Sequence, residues 1–144
     1  MSLLLFLGVF VFGGLGALCR FALDSAVKRH WRGSVPVGTF LINVLGSFAL
    51  GLLTAVVAGF AAGAGVAGAG AAGGGGAGGD AVWLHAASTV LGAGFLGGFT
   101  TFSTATVELV TQARKGRPGG TLVLGLLQPA VAIVAALLGF VLGG

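Results

Sequence analysis

The sequence predicts an all-α membrane protein with four transmembrane helices, the third of them broken. Three observations carry that prediction. The 144 residues are 56% hydrophobic and only 7% charged, with a mean hydropathy of +1.10, and a soluble domain this small could not hide so much apolar surface. Four apolar stretches reach the roughly 20 helical residues that a bilayer requires. Residues 94–104 (GFLGGFTTFST) place small and hydroxyl residues in the middle of the third stretch. Non-helical chain survives at membrane depth only where protein buries it or where it lines a polar cavity, so such a break marks a site for an ion.

The spans are expected at 3–27, 35–58, 82–112 and 121–142, in one transmembrane domain covering 1–144. Residues 3–17 resemble the apolar core of a signal peptide. They lack a basic start, however, and the apolar pattern runs on to Ala26, so the segment reads as a retained span. The third span, if straight, would make a rod of about 46 Å, longer than a hydrocarbon core of roughly 30 Å. Residues 59–80 join spans two and three. Eleven of those 22 residues are Gly and most of the rest are Ala, which predicts a flexible linker with no chemistry of its own.

The basic residues set topology. Lys28, Arg29 and Arg32 lie between spans one and two, and Arg114, Lys115 and Arg117 between spans three and four. Four spans bring these six charges to one side. The other side has no Lys or Arg and carries Asp80, while the seventh base, Arg20, lies inside span one. The positive-inside rule makes the basic loops cytoplasmic and both termini extracytoplasmic. This pattern accounts for the net charge of +4 without nucleic acid. One cysteine, Cys19, and two distant histidines make neither a disulfide nor a zinc framework. No nucleophile–base pair is visible, so an enzyme is not expected.

Several residues are candidates for chemistry. Thr39, Asn43 and Ser47 are spaced i, i+4, i+8 and share one helical stripe. That stripe is either hydrogen-bonding glue between helices or a donor-lined path for a small anion. The pattern by itself favours glue; Asn43 weighs against it, because a mid-membrane carboxamide is costly unless satisfied. Around the break, the hydroxyls of Thr100, Thr101, Ser103 and Thr104 either satisfy freed backbone or accompany carbonyls at Gly97 and Thr100 that coordinate a hard cation such as Na+. One chain offers too few oxygens, so a two-fold partner would complete that cage. Phe99 and Phe102 read as lipid-facing or core, although an electropositive ring edge can face an anion. Arg20 and Asp24 read as an i, i+4 ion pair at the membrane edge, with Arg20 snorkelling. Glu108 lies either at the interface or as a functional carboxylate in the membrane. His30 with Trp31, and Trp83 with His85, read as interfacial anchors.

Three segments in order, 13–21 (GGLGALCRF), 38–48 (GTFLINVLGSF) and 94–104, resemble the motifs of the small fluoride channels of the CrcB/Fluc family. The resemblance implies an antiparallel dimer of four-helix subunits with two fluoride pores and a central structural Na+. It assigns Gly97 and Thr100 carbonyls to the Na+ and Asn43 and Phe102 to the fluoride path, which Thr39, Ser47 and Thr104 would extend. Glu108 falls at the family's acidic position near that path, and Arg20 at its span-one arginine. The implied activity is passive export of cytoplasmic fluoride across the cell inner (plasma) membrane. Such export protects a cell because HF enters freely, dissociates inside and traps the anion. No energy source is required.

The chain departs from the family in two places. Ala105 stands where the third motif usually has a second Phe, and span four offers only Thr121 and Gln128 where the family has a run of hydroxyls. Because fluoride is strongly hydrated, a pore poor in donors should present a higher barrier. A charge bias of six against none also suits one fixed orientation, so the antiparallel partner is expected to be a homologous chain of reverse bias, giving a heterodimer. Two competing readings are a small multidrug-type proton-coupled exporter and a non-conducting structural subunit. The exporter would want an embedded carboxylate in span one, where Asp24 lies too near the end.

Overall fold

A computed structural model describes residues 3–30, 37–63, 79–116 and 118–144. In chain order these form α1 (Leu3–His30), α2 (Val37–Gly63), α3 (Gly79–Thr89), a π-helical segment (Val90–Leu96), α4 (Gly97–Phe99), α5 (Phe102–Arg114) and α6 (Pro118–Gly143). Every described element is helical, and four stretches are long and apolar enough to cross a membrane: Leu3–His30, Val37–Ala62, Val82–Arg114 and Gly125–Gly143. Helix is what a bilayer demands, since it satisfies each backbone group within its own segment.

The chain forms two main pairings. α2 packs chiefly on α6, while α1 packs on the π segment and α4. Both are close backbone approaches over glycine. A side-chain carbon at Gly51 would overlap the Ala136 carbonyl, and one at Gly139 would overlap the Phe48 carbonyl. On the other side, Gly16 faces the Phe95 carbonyl and Gly98 the Gly13 carbonyl with equally little room. Lipid is as apolar as leucine, so membrane helices associate through such close packing rather than through expulsion of water. The buried apolar residues are accordingly small or few: Ile42, Ala55, Ala105 and Ala135. Large apolar side chains such as Phe6, Phe10, Phe21 and Leu137 point outward, as lipid or a neighbouring subunit permits.

The structure corrects several expected boundaries. α2 continues to Gly63, and α3 begins at Gly79, so both ends of the proposed 59–80 linker are helical. Continuing the hydrogen-bond ladder through the Ala-rich run after Ala58 outweighs the glycine cost of about 1 kcal/mol per residue. Residues 64–78 lie outside the described residues, as do Trp31, Arg32 and Arg117. α1 and α6 also extend beyond 27 and below 121. α5 ends at Lys115 and Gly116, whose φ of 76° is the left-handed helix stop that glycine adopts without strain.

The expected Arg20–Asp24 ion pair is not formed. Asp24 Oδ2 instead accepts from Lys28 Nζ at 2.6 Å. An acid four residues before a base is the better order on a helix, because each charge then suits the helix dipole. Among the described residues, Arg20 is partly buried and makes no ion pair.

Candidate ion site at the broken third span

The break is narrower than residues 94–104. Gly97–Phe99 is helical, Thr100 (φ −77°, ψ 156°) and Thr101 (φ −151°, ψ 124°) are extended, and a new helix starts at Phe102. The turn before it is widened, with the Gly97 N–H reaching back to the Gly92 carbonyl in the i to i−5 pattern of a π-helix. Two extended residues in a membrane span strand several backbone groups, and local hydroxyls take up part of them. Thr100 N–H and Thr100 Oγ1 both donate to the Leu96 carbonyl, at 2.9 and 3.0 Å. Thr101 is the N-cap of α5: its Oγ1 accepts from the Thr104 N–H at 3.3 Å and lies 3.1 Å from Thr104 Oγ1. Capping of this kind satisfies one of the orphan donors that open every helix. Thr106 and Thr111 likewise donate to carbonyls one turn back.

The remaining need is met from span two. Asn43 Nδ2 donates to the Thr101 carbonyl and Asn43 Oδ1 accepts from the Thr101 N–H, each at 2.9 Å. One carboxamide thus replaces a full backbone partner, and the two bonds together fix its orientation, since a flipped amide would set donor against donor. In a continuous helix the Thr101 N–H would bond the Gly97 carbonyl. Diverting it to Asn43 releases that carbonyl. The carboxamide nitrogen keeps a second N–H beyond the one given to Thr101.

Beside the clamp is a cavity of about 650 Å³ between α2, the break and α6. Asn43, Ser47, Gly97, Thr100 and Phe102 line it together. Of the residues singled out in sequence, these five meet there, joined by Thr101, Ala105 and Gln128. Phe102 is 87% exposed, standing at the cavity edge. Thr104 serves the α5 cap rather than the wall. Thr39 and Glu108 form a separate pair on the basic-loop side: Thr39, only 2% exposed, donates to Glu108 Oε1 at 2.9 Å. Arg20 belongs to neither group. The stripe Thr39, Asn43, Ser47 therefore touches three different things in succession: a carboxylate, a broken backbone and a cavity.

Two positions marked in sequence as departures from the family, Ala105 and Gln128, also belong to the site. Ala105 is buried and lines the cavity. Gln128 lines the opposite wall, with Nε2 buried and without a hydrogen-bond partner. Gly46 lies where Thr100 packs, and a side-chain carbon there would overlap the Thr100 methyl. The cap at Thr101 was within reach of sequence reasoning, since a threonine before a new helical run is a start signal.

Comparison with known proteins identifies the family. Residues 7–140 match the family described as CrcB-like protein, Camphor Resistance (CrcB). The chain is 39% identical over 144 residues to the fluoride-specific ion channel FluC 1 of Leifsonia xyli subsp. xyli, covering 100% of this chain and 90% of that one. It is 38% identical over 128 residues to the fluoride-specific ion channel FluC 3 of Bifidobacterium longum, covering 89% and 88%. With the fluoride-specific ion channel FluC of Deinococcus radiodurans it shares 36% identity over 147 residues, covering 99% and 98%. The match spans the four membrane-crossing stretches and the clamped break alike, and the chain belongs to the CrcB-like family.

Proposed function

We propose that this chain is a subunit of a fluoride-selective channel that lets cytoplasmic fluoride leave down its gradient. The observation that carries this reading is the helix break clamped by Asn43 beside a cavity at membrane depth. That arrangement gives a small hydrated anion two things it needs: a donor, the second Asn43 N–H, and an aromatic edge at Phe102. A fluoride ion that leaves water must recover hydrogen bonds from the wall, and Ser47 lies one helical turn from Asn43 to extend that supply. The relatives named above as fluoride-specific channels cover nearly the whole chain. The exporter reading is disfavoured because the span-one carboxylate, Asp24, is already engaged by Lys28.

The donor set also fits a structural Na+. The Gly97 carbonyl has lost its intrahelical donor, and the Thr100 carbonyl lies in extended chain beside it. Two carbonyls from each of two antiparallel chains would form an all-oxygen cage of the kind a hard cation takes. Bound there, Na+ would tie the two breaks together. The six Lys/Arg on one side and none on the other favour a homologous partner of opposite orientation. Basic loops in the cytoplasm and both termini outside follow from the same bias.

The test is fluoride efflux from liposomes. This chain reconstituted with its homologous partner should pass fluoride and exclude chloride, and this chain alone should not. Equal flux from the single chain would overturn the heterodimer. Unchanged flux in Asn43→Ala and Phe102→Ala assemblies would reduce both residues to packing.

A further inference from the structure

At the basic-loop end, α1, α2 and α5 bring together charges that neither the break nor the cavity uses. Lys28 Nζ sits on Asp24 Oδ2 at 2.6 Å, with the Lys28 side chain 64% exposed. The other carboxylate oxygen, Asp24 Oδ1, is buried without a hydrogen-bond partner. It is pressed against Gly38 in the first turn of α2, where a side-chain carbon would overlap it. The next residue, Thr39, donates to Glu108, so Asp24, Lys28 and Glu108 gather around the first turn of α2. An ammonium held by one carboxylate and a second carboxylate held by Thr39 thus share the first turn of α2, and Thr39 is one turn from Asn43.

Folding by itself gives little reason for this arrangement. An exposed i, i+4 ion pair contributes almost nothing to stability, and a buried acceptor with no partner detracts from it. For an anion the arrangement matters more. Without Lys28, the ionisable groups bonded at the first turn of α2 would be two carboxylates at the start of the Thr39–Asn43–Ser47 stripe. We propose that Lys28, pinned by Asp24, is the steering residue for fluoride at this mouth, offsetting the Glu108 carboxylate through the field without touching the ion. Fixing the ammonium on Asp24 keeps the positive charge at the stripe instead of letting a long side chain carry it into solvent. The inference rests on the fluoride-channel reading.

A unit charge about 7 Å away in water changes the local concentration of a monovalent anion about threefold. Screening removes most of that at high ionic strength. Efflux is therefore measured from liposomes holding the conducting assembly, in about 10 mM and about 500 mM inert salt, with fluoride supplied on the basic-loop side. At low salt, Lys28→Gln should slow flux about threefold and Lys28→Glu about tenfold, while Lys28→Arg matches the parent. At high salt the four should converge. Flux unchanged in Lys28→Gln and Lys28→Glu at low salt, in an assembly whose parent conducts, overturns the steering role and leaves the channel reading standing. Equal losses at both salts also overturn it, because a folding defect is not screened. A parent assembly that passes no fluoride removes the channel reading and this inference with it.

Discussion

Two spans lose backbone hydrogen bonds at membrane depth, and only one of them breaks. In α6, Pro129 has no N–H to give the Gly125 carbonyl, yet the helix runs from Pro118 to Gly143 without interruption. In the third span there is no proline, yet Thr100 and Thr101 leave the helix altogether. Losing a donor is evidently not what opens a membrane helix. The third span opens because Asn43 offers an acceptor and a donor at once to Thr101, and because Thr101 then caps the helix that follows. Among the described residues no carboxamide clamps α6 in this way, and Gln128, beside Pro129, leaves its Nε2 unbonded. A helix breaks in lipid where a neighbour can serve both sides of the peptide group, and bears a missing bond where none can.

The largest test of this comparison is Asn43→Leu. It strands the Thr101 N–H and carbonyl together, at about 1–3 kcal/mol for each unsatisfied group. Denaturant unfolding in mixed micelles should show a loss of about 2–6 kcal/mol. A loss well under 1 kcal/mol would mean that the break holds itself open. Next comes Pro129→Ala, which restores the missing bond in α6. Relative to a full helix-interior proline cost of about 3 kcal/mol, it should stabilise the protein by about 1–2 kcal/mol in the same assay. Destabilisation would mean that Pro129 is needed for the shape of the cavity wall. The smallest effect is expected for Thr101→Val, which removes the N-cap while keeping the Asn43 clamp. The cost should be about 1 kcal/mol, with the amide exchange of Thr104 rising and that of Thr101 unchanged. Faster exchange at Thr101 would show that cap and clamp act as one unit.

Legibility in the sequence varied along the chain. The four spans followed from apolar length, and the break from a cluster of Gly and Thr that no lipid-facing helix would choose. The stripe Thr39, Asn43, Ser47 was visible as a stripe, but what each member touches was not. Asn43 turned out to be glue, bonded to the Thr101 backbone, and it also lines the cavity. The linker ends were misplaced because composition reports the cost of glycine in a helix but not the cost of ending one inside a membrane. The Arg20–Asp24 pair failed because spacing alone does not say which of two bases, each four residues from Asp24, the acid will choose.

Taken alone, the amino-acid order determined the lipid-grade composition, the number of spans, the one-sided placement of Lys and Arg, and the neighbourhood of the break. All of these depend on residues close in sequence or on sums over the chain. Only the tertiary structure decided that the break is two residues long, that Asn43 holds it from 58 positions away, and that Thr39 meets Glu108 across 69. Those outcomes belong to groups that satisfy each other through space. In a medium without water every polar group must find such a partner, and which partner it finds is settled by packing.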